Sequence, residues 1–249
     1  MKKIVVLLIF MFSLASVFAQ TDSTGLPVML TGMQQTAPAQ EKPKKKPYTM
    51  NVPKDRLVLD LNATNWIHKG TNGFYTRWYS RGLNLYGMYD IQIKKSRVSF
   101  AIGAGISWVN IYNNSHLTDS AGSGIKFTPY SNYRDTLKIN KVTETWIDIP
   151  LELRIRTNRD KLDQVWKFNV GFKFGIKVDA YTKQVFKNPH ENIRMKPYPD
   201  FELFRMGPTL RIGYSSFNIT GFYGLLGVFK SGRGPQANEW SLGVSFNGL

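Results

Sequence analysis

The sequence predicts an all-β chain: an eight-stranded antiparallel transmembrane β-barrel preceded by a signal peptide and a disordered leader. Three observations predict it. Eight segments alternate apolar with polar residues, each near the 9–11 or so positions that a tilted strand needs to cross a bilayer. The connections alternate short and long, the asymmetry of barrels whose turns are tight on the periplasmic side only. The chain has no cysteine, which excludes a lipoprotein anchor, disulfides and cysteine-based zinc sites.

The N-terminus supplies the export signal. Lys2 and Lys3 precede the apolar run Ile4 to Leu14, and Val17 and Ala19 fit the small-residue cleavage pattern. Residues 1–19 are therefore expected to be a signal peptide, with Gln20 as the new N-terminus. Residues 20–55 are polar, carry Pro38, Pro43 and Pro47 around Lys44, Lys45 and Lys46, and lack apolar periodicity. They are expected to be a disordered periplasmic leader. The barrel domain is assigned to residues 56–249. Outside the signal, no stretch reaches the roughly 18 apolar residues of a spanning helix.

The first strand sets Leu57, Leu59, Leu61 and Ala63 against Val58, Asp60, Asn62 and Thr64. The second sets Leu83, Leu85, Tyr89, Ile91 and Ile93 against Asn84, Tyr86, Asp90 and Gln92. A tight turn at Lys95-Ser96 leads to the third, with Val98, Phe100, Ile102, Ala104, Ile106 and Trp108 on one face and serines and glycines on the other. A long polar loop is expected over 110–141. The fourth strand alternates Ile147, Ile149, Leu151, Leu153 and Ile155 with Asp148, Pro150, Glu152, Arg154 and Arg156. A short turn at Asn158-Arg159-Asp160 leads to the fifth, where Phe168, Val170, Phe172, Phe174 and Ile176 alternate with Lys167, Asn169, Gly171, Lys173, Gly175 and Lys177. A second long loop is expected over 180–200. The sixth sets Met206, Leu210, Ile212 and Tyr214 against Arg205, Gly207, Thr209, Arg211 and Gly213. Ser215-Ser216 turns into the seventh, 217–228, whose glycines blur the period. The eighth sets Trp240, Leu242, Val244 and Phe246 against Ser241, Gly243 and Ser245.

A soluble sandwich also alternates. Its polar face, however, would be fully solvated and would not need so many glycines. An eight-stranded barrel has a lumen just wide enough for side chains, so glycines would make room for Arg205, Arg211 and Tyr86. Trp78, Tyr79, Trp108, Tyr112, Trp166, Tyr214 and Trp240 at strand ends suit interfacial girdles. Outer-membrane localisation is the resulting expectation.

The stretch from Trp146 to Arg154 (WIDIPLELR), the stretch Phe168 to Gly175 and the closing Ser241 to Phe246 resemble the Bacteroidota outer-membrane β-barrel family typified by PorT. The resemblance covers about Arg56 to Leu249. It implies the barrel fold and, for PorT-type members, an involvement in protein secretion. The chain departs from the pattern in ending Phe246-Asn-Gly-Leu249 rather than on an aromatic residue.

Net charge is +16. An exported chain seldom meets nucleic acid, so lipopolysaccharide phosphate is the better anionic candidate; solvated loop lysines are the plainer reading of the charge and the preferred one. The candidate site is a lumen ion-pair network of Glu144, Asp148 and Glu152 with Lys167, Lys173, Lys177, Arg205 and Arg211. The expected register sets Asp148 opposite Lys173 and Glu144 opposite Lys177 across a turn near Asp160-Lys161. The competing register, with Asp148 facing Gly175 and Glu144 facing Asp179, opposes like charges. His68, His116 and His190 fall in three different loops without metal-ligand spacing. His116 with Asp119 and Ser120 is a chance grouping in a polar loop. Asp119-Ser120-Ala121 and Asp135-Thr136-Leu137 resemble the short O-glycosylation sequence of Bacteroidota. No segment points to a cofactor. The expected function is a non-enzymatic outer-membrane barrel with a side-chain-filled lumen, contacting lipid, lipopolysaccharide and an envelope or secretion protein. The alternatives are a small-solute porin and an outer-membrane enzyme using extracellular-loop residues.

Overall fold

A computed structural model describes residues 56–69, 73–93, 96–120, 124–131, 136–158, 164–195 and 200–248. The signal peptide, the leader, the turns at Lys95 and Arg159 to Lys161, Asp135, Ala121, and the side chains of Asp119 and Ser120 lie outside the described residues. Among the described residues eleven strands form: β1 Leu57–His68, β2 Arg81–Gln92, β3 Val98–Tyr112, β4 Ser115–Ser120, β5 Gly124–Pro129, β6 Leu137–Arg156, β7 Trp166–Phe186, β8 Asn192–Met195, β9 Phe204–Tyr214, β10 Phe217–Gly227 and β11 Ala237–Asn247. The sheet order is β6-β3-β2-β1-β11-β10-β9-β7-β8, and β6 also pairs with β7. That extra pairing closes eight antiparallel strands into a barrel and leaves β8 as an appendage on β7.

Period two sorts the two faces. Along β1, Val58, Asp60, Asn62 and Thr64 are buried, while Leu57, Leu61 and Ala63 are exposed. Outward residues such as Leu61, Ile147, Ile149, Val178 and Leu242 are about half exposed. So much contiguous apolar surface would be a liability in water and is the lipid-facing band of a membrane barrel. Aromatic pairs mark its limits. Trp166 meets Tyr214 at 5.3 Å and Phe217 meets Phe246 at 5.8 Å at the short-turn end. Tyr79 meets Tyr112 at 5.0 Å and Trp78 at 5.9 Å at the long-loop end.

The long loops are more ordered than expected. β3 runs on to Tyr112, β6 begins already at Leu137, and β4 and β5 form a separate hairpin within 110–141. β7 continues to Phe186 and pairs with β8 inside the predicted second loop. The reason is that β6 and β7 keep pairing beyond the membrane band, from Thr145↔Asp179 to Leu137↔Phe186, after a bulge at Thr145/Trp146. The apolar-out rule lapses there, because both faces meet water or protein rather than lipid.

The register of β6 and β7 corrects the sequence expectation. Asp148 faces Gly175, Pro150 faces Lys173, Trp146 faces Lys177 and Glu144 faces Ala180. Asp148 and Lys173 do share the lumen face, since both are buried there. The physical reason is that Asp148 takes its counter-charge from β9, reached over a glycine, rather than from its β7 neighbour.

Candidate functional site

The site is the lumen, and it is stacked in three storeys. The lowest, toward the short turns, is a chain of alternating charges. Arg156 donates to Asp90 at 2.6 Å, and Arg154 donates to Asp90 at 2.8 Å and to Glu152 at 2.9 Å. Glu152 also pairs with Arg211, which reaches Asp60 at 3.1 Å. Arg156 donates to Ser99 Oγ at 2.7 Å, and Asn84 donates to Asp60 at 3.4 Å.

The middle storey is built by one cross-strand row. Tyr86 on β2 faces Gly105 on β3, Gly105 faces Asp148 on β6, Asp148 faces Gly175 on β7, and Gly175 faces Arg205 on β9. Large polar residues and glycines alternate, so each side chain lies over a gap. Arg205 donates side-on to Asp148, at 2.6 Å from Nη2 and 3.1 Å from Nε, above Gly175. The Tyr86 hydroxyl donates to Asp148 at 3.3 Å above Gly105, and Ser107 donates to the same carboxylate. Arg205 also donates to Glu239 at 3.0 Å. Charge-assisted, forked geometry of this kind is the strong form of the hydrogen bond. Lys173 makes no such pair; its ammonium sits 3.7 Å from the Phe222 ring centroid.

In the upper storey Lys177 donates to Glu144 at 2.8 Å and lies 4.6 Å from Trp146 and 4.5 Å from Phe201. Trp146 Nε1 donates to Glu144 at 3.3 Å. Above this comes an apolar cap: Trp66, Phe74, Val109, Ile111, Leu117, Ile125, Val142, Phe201 and Phe229 pack together, with Phe127 against them. Phe74 stacks on Phe127 at 4.0 Å and Phe201 meets Phe229 at 4.9 Å. The β4–β5 hairpin supplies Leu117, Ile125 and Phe127. It is tied to the loop after β10 by Ile125 N–H donating to Arg233 O at 2.8 Å. Gly124, at φ +82°, permits this approach, because a Cβ there would lie 2.6 Å from the same carbonyl.

All eight predicted residues face the lumen. Lys167 is buried between Arg156 and Gly213 on the neighbouring strands. Glu144 and Lys177 pair although they are not directly opposite. Four more charges belong to the network: Asp60, Asp90, Arg154 and Arg156 were legible as inward positions but not as members. Glu239 was missed because the eighth strand was begun at Trp240; one more step of the alternation finds it. Among the described residues the lumen thus holds six carboxylates (Asp60, Asp90, Glu144, Asp148, Glu152, Glu239) and seven cations (Arg154, Arg156, Lys167, Lys173, Lys177, Arg205, Arg211), and their side chains are nearly or fully buried. A water-filled pore would leave such lining groups wet.

The three histidines have different surroundings. His68 meets the Phe74 ring edge-on at 4.7 Å, and His190 is exposed. His116 Nδ1 accepts from Gln184 Nε2 at 3.0 Å. It lines a surface groove of about 400 Å³ with Tyr130, Phe186, Ile193 and Met195, between the hairpin and the β7–β8 extension.

A comparison with family models agrees with this architecture. A family model described as "Outer membrane protein beta-barrel domain" matches residues 62–230. The chain belongs to this family. Its place is accordingly the outer membrane. Family membership extends from within β1 to the loop after β10, and so includes nearly all of the lumen network. Among solved structures, the chain is similar to Ail, the attachment invasion locus protein of Yersinia pestis. In complex with the heparin analogue sucrose octasulfate, that protein is 10% identical, with 77% of this chain and 96% of that one covered and a TM-score of 0.31. The structure of Ail without the analogue gives 11%, 77%, 95% and 0.30. No curated protein matches the chain.

Proposed function

We propose that this outer-membrane barrel is non-enzymatic and non-conducting, and acts through contacts that its long-loop head or its leader makes with another envelope component. The observation that carries the reading is the filled lumen. Charged side chains occupy three storeys in mutual contact, and an apolar cap seals the long-loop end. A diffusion pore needs a wet, open path, whereas a small barrel filled by side chains is a rigid platform. Platforms act at their rims. Here the rim is a folded head made of the β4–β5 hairpin and the β6–β7–β8 extension.

The barrel wall contacts outer-membrane lipid, lipopolysaccharide included. The resemblance to PorT-type barrels of Bacteroidota suggests protein secretion or envelope assembly as the process. The test has two arms. Purified barrel in planar bilayers is expected to give no stable single-channel steps; steady ohmic conductance would instead favour the small-solute porin. Site-specific crosslinkers at Lys126 and Lys138, exposed positions of the head, are expected to capture one discrete envelope protein in native membranes. The enzyme alternative predicts a hydrolytic or transfer activity that disappears on His116→Ala or His190→Ala.

A further inference from the structure

The outer surface of the head carries a row of like charges that, among the described residues, meets a single carboxylate at its edge. On the outward face, Tyr112 on β3 lies directly opposite Lys141 on β6, Lys141 opposite Lys183 on β7, and Lys183 opposite Arg194 on β8. Arg81 on β2 lies one row nearer the membrane, opposite Asn110. Directly opposed residues hold their Cβ atoms about 4.5–5.5 Å apart, and like charges so placed are destabilising. The compensation is slight. Lys141 donates to the neutral Asn110 Oδ1 at 2.7 Å and lies 5.7 Å from the Tyr112 ring centroid. Arg81 donates to the Tyr112 hydroxyl at 3.4 Å. Arg194 covers the Tyr181 ring at 3.6 Å and touches one carboxylate, Asp179, at 4.0 Å. Lys183 has no ion pair among the described residues. Among the described residues, four cations therefore share one carboxylate.

Position names the missing anion. Trp78, Tyr79 and Tyr112 form the aromatic girdle at this end, and girdles mark the level of lipid headgroups. The apolar band stops at Leu83 on β2, Ile147 on β6 and Val178 on β7, and the cations begin beyond it on the same outward faces. We propose that Arg81, Lys141, Lys183 and Arg194 bind the phosphorylated headgroup of an outer-leaflet glycolipid. A phosphate monoester bridging adjacent strands supplies two negative charges and several acceptors where the protein supplies one carboxylate at the edge. Arg gives forked contacts and Lys gives point charges to such a group. This assignment rests on the outer-membrane reading with the long loops outward. It does not depend on the closed lumen, so conductance would refute that reading and leave this one standing.

The test uses the full chain refolded in an uncharged, phosphate-free detergent, with heat-modifiable gel migration to confirm folding. The probes are a bisphosphorylated lipid A, the same glycolipid stripped of its phosphates, and inorganic phosphate. The Lys141→Gln, Lys183→Gln double variant is expected to weaken binding of the phosphorylated lipid by about tenfold or more, the factor equivalent to losing a single charge-assisted contact. The Lys126→Gln, Lys230→Gln variant removes the same charge from exposed head positions elsewhere and is expected to leave affinity nearly unchanged. The thermal midpoint of the row variant without lipid is expected not to fall, because the substitution relieves repulsion. Lys183→Gln alone carries the same test if the double variant fails to fold. Equal losses in row and control variants would overturn the proposal. So would equal binding of the stripped glycolipid, or full competition by inorganic phosphate at the lipid's own concentration.

Discussion

Replacing Gly175 by alanine adds one methyl group at the most demanding point of the lumen. Gly175 sits between Asp148 and Arg205 in the same cross-strand row. A Cβ there would collide with Asp148 Oδ1 and would lie 2.9 Å from Arg205 Cγ and 3.0 Å from Arg205 Nε. Neither partner has room to yield, because Asp148 is fully buried and also accepts from Tyr86 and Ser107. Arg205 is held from its far side by Glu239. Overpacking alone costs about 1–3 kcal/mol. If the methyl group parts the ion pair, the cost rises toward the roughly 3–5 kcal/mol of an uncompensated buried charge. Gly221→Ala is the matched control. Gly221 faces lipid, and its Cβ would meet only Ser241 O at 3.8 Å and Leu242 Cδ1 at 4.0 Å. Relief of unfolded-state entropy there contributes about 0.4–1 kcal/mol in the stabilising direction. Equilibrium urea unfolding in lipid vesicles, followed by tryptophan emission, measures both. Equal stabilities for the two variants would refute the account of glycines as gaps beneath bridging side chains.

Three further outcomes follow from the same geometry. Ile149→Arg places a charge on the lipid face near the middle of β6, where it is expected to cost roughly 2–4 kcal/mol in vesicle refolding; a loss no larger than that of Glu152→Gln would contradict the assigned faces. Arg205→Met alone strands Asp148 and Glu239 in the lumen, so the Arg205→Met, Asp148→Asn double variant is expected to destabilise less than the sum of its two single variants; strict additivity in the mutant cycle would deny the coupling. A cysteine at Asn188 is expected to label with a membrane-impermeant maleimide on intact cells while one at Ser96 stays unlabelled, and the reverse pattern would invert the barrel.

Strand positions were legible because lipid imposes one rule on every outward residue, as Ile147 to Ile155 illustrate. That rule also marked Asp148, Glu152, Arg205 and Arg211 as inward. It could not assign their partners. Adjacent-strand pairing was the natural guess, but in a narrow lumen an arginine on β9 spans β7 to reach β6, and the glycine that permits this carries no charge to announce it. Beyond the membrane band the rule has no force. The extensions of β6 and β7, with Lys138, Asn140, Lys183 and Gln184, look like loop, and only their mutual pairing makes them strand. The apolar cap was illegible for another reason: Phe74, Ile125, Phe201 and Phe229 come from separate segments, each too short to show a period.

The wall of this barrel has one seam, where the first strand meets the last and Val58 pairs with Asn247. Partners that distant along the chain find each other late, since long-range pairing is the slow step of β-sheet folding. Asp60 belongs to β1, yet its arginine comes from β9, which lies three strands away past that seam. Arg211 is meanwhile engaged by Glu152 from mid-chain. A barrel left open at the seam would therefore hold a half-built charge relay facing lipid, and each ion pair gained draws the edges toward closure. The lumen works as a latch: its cross-seam ion pairs penalise lateral gaping of the wall.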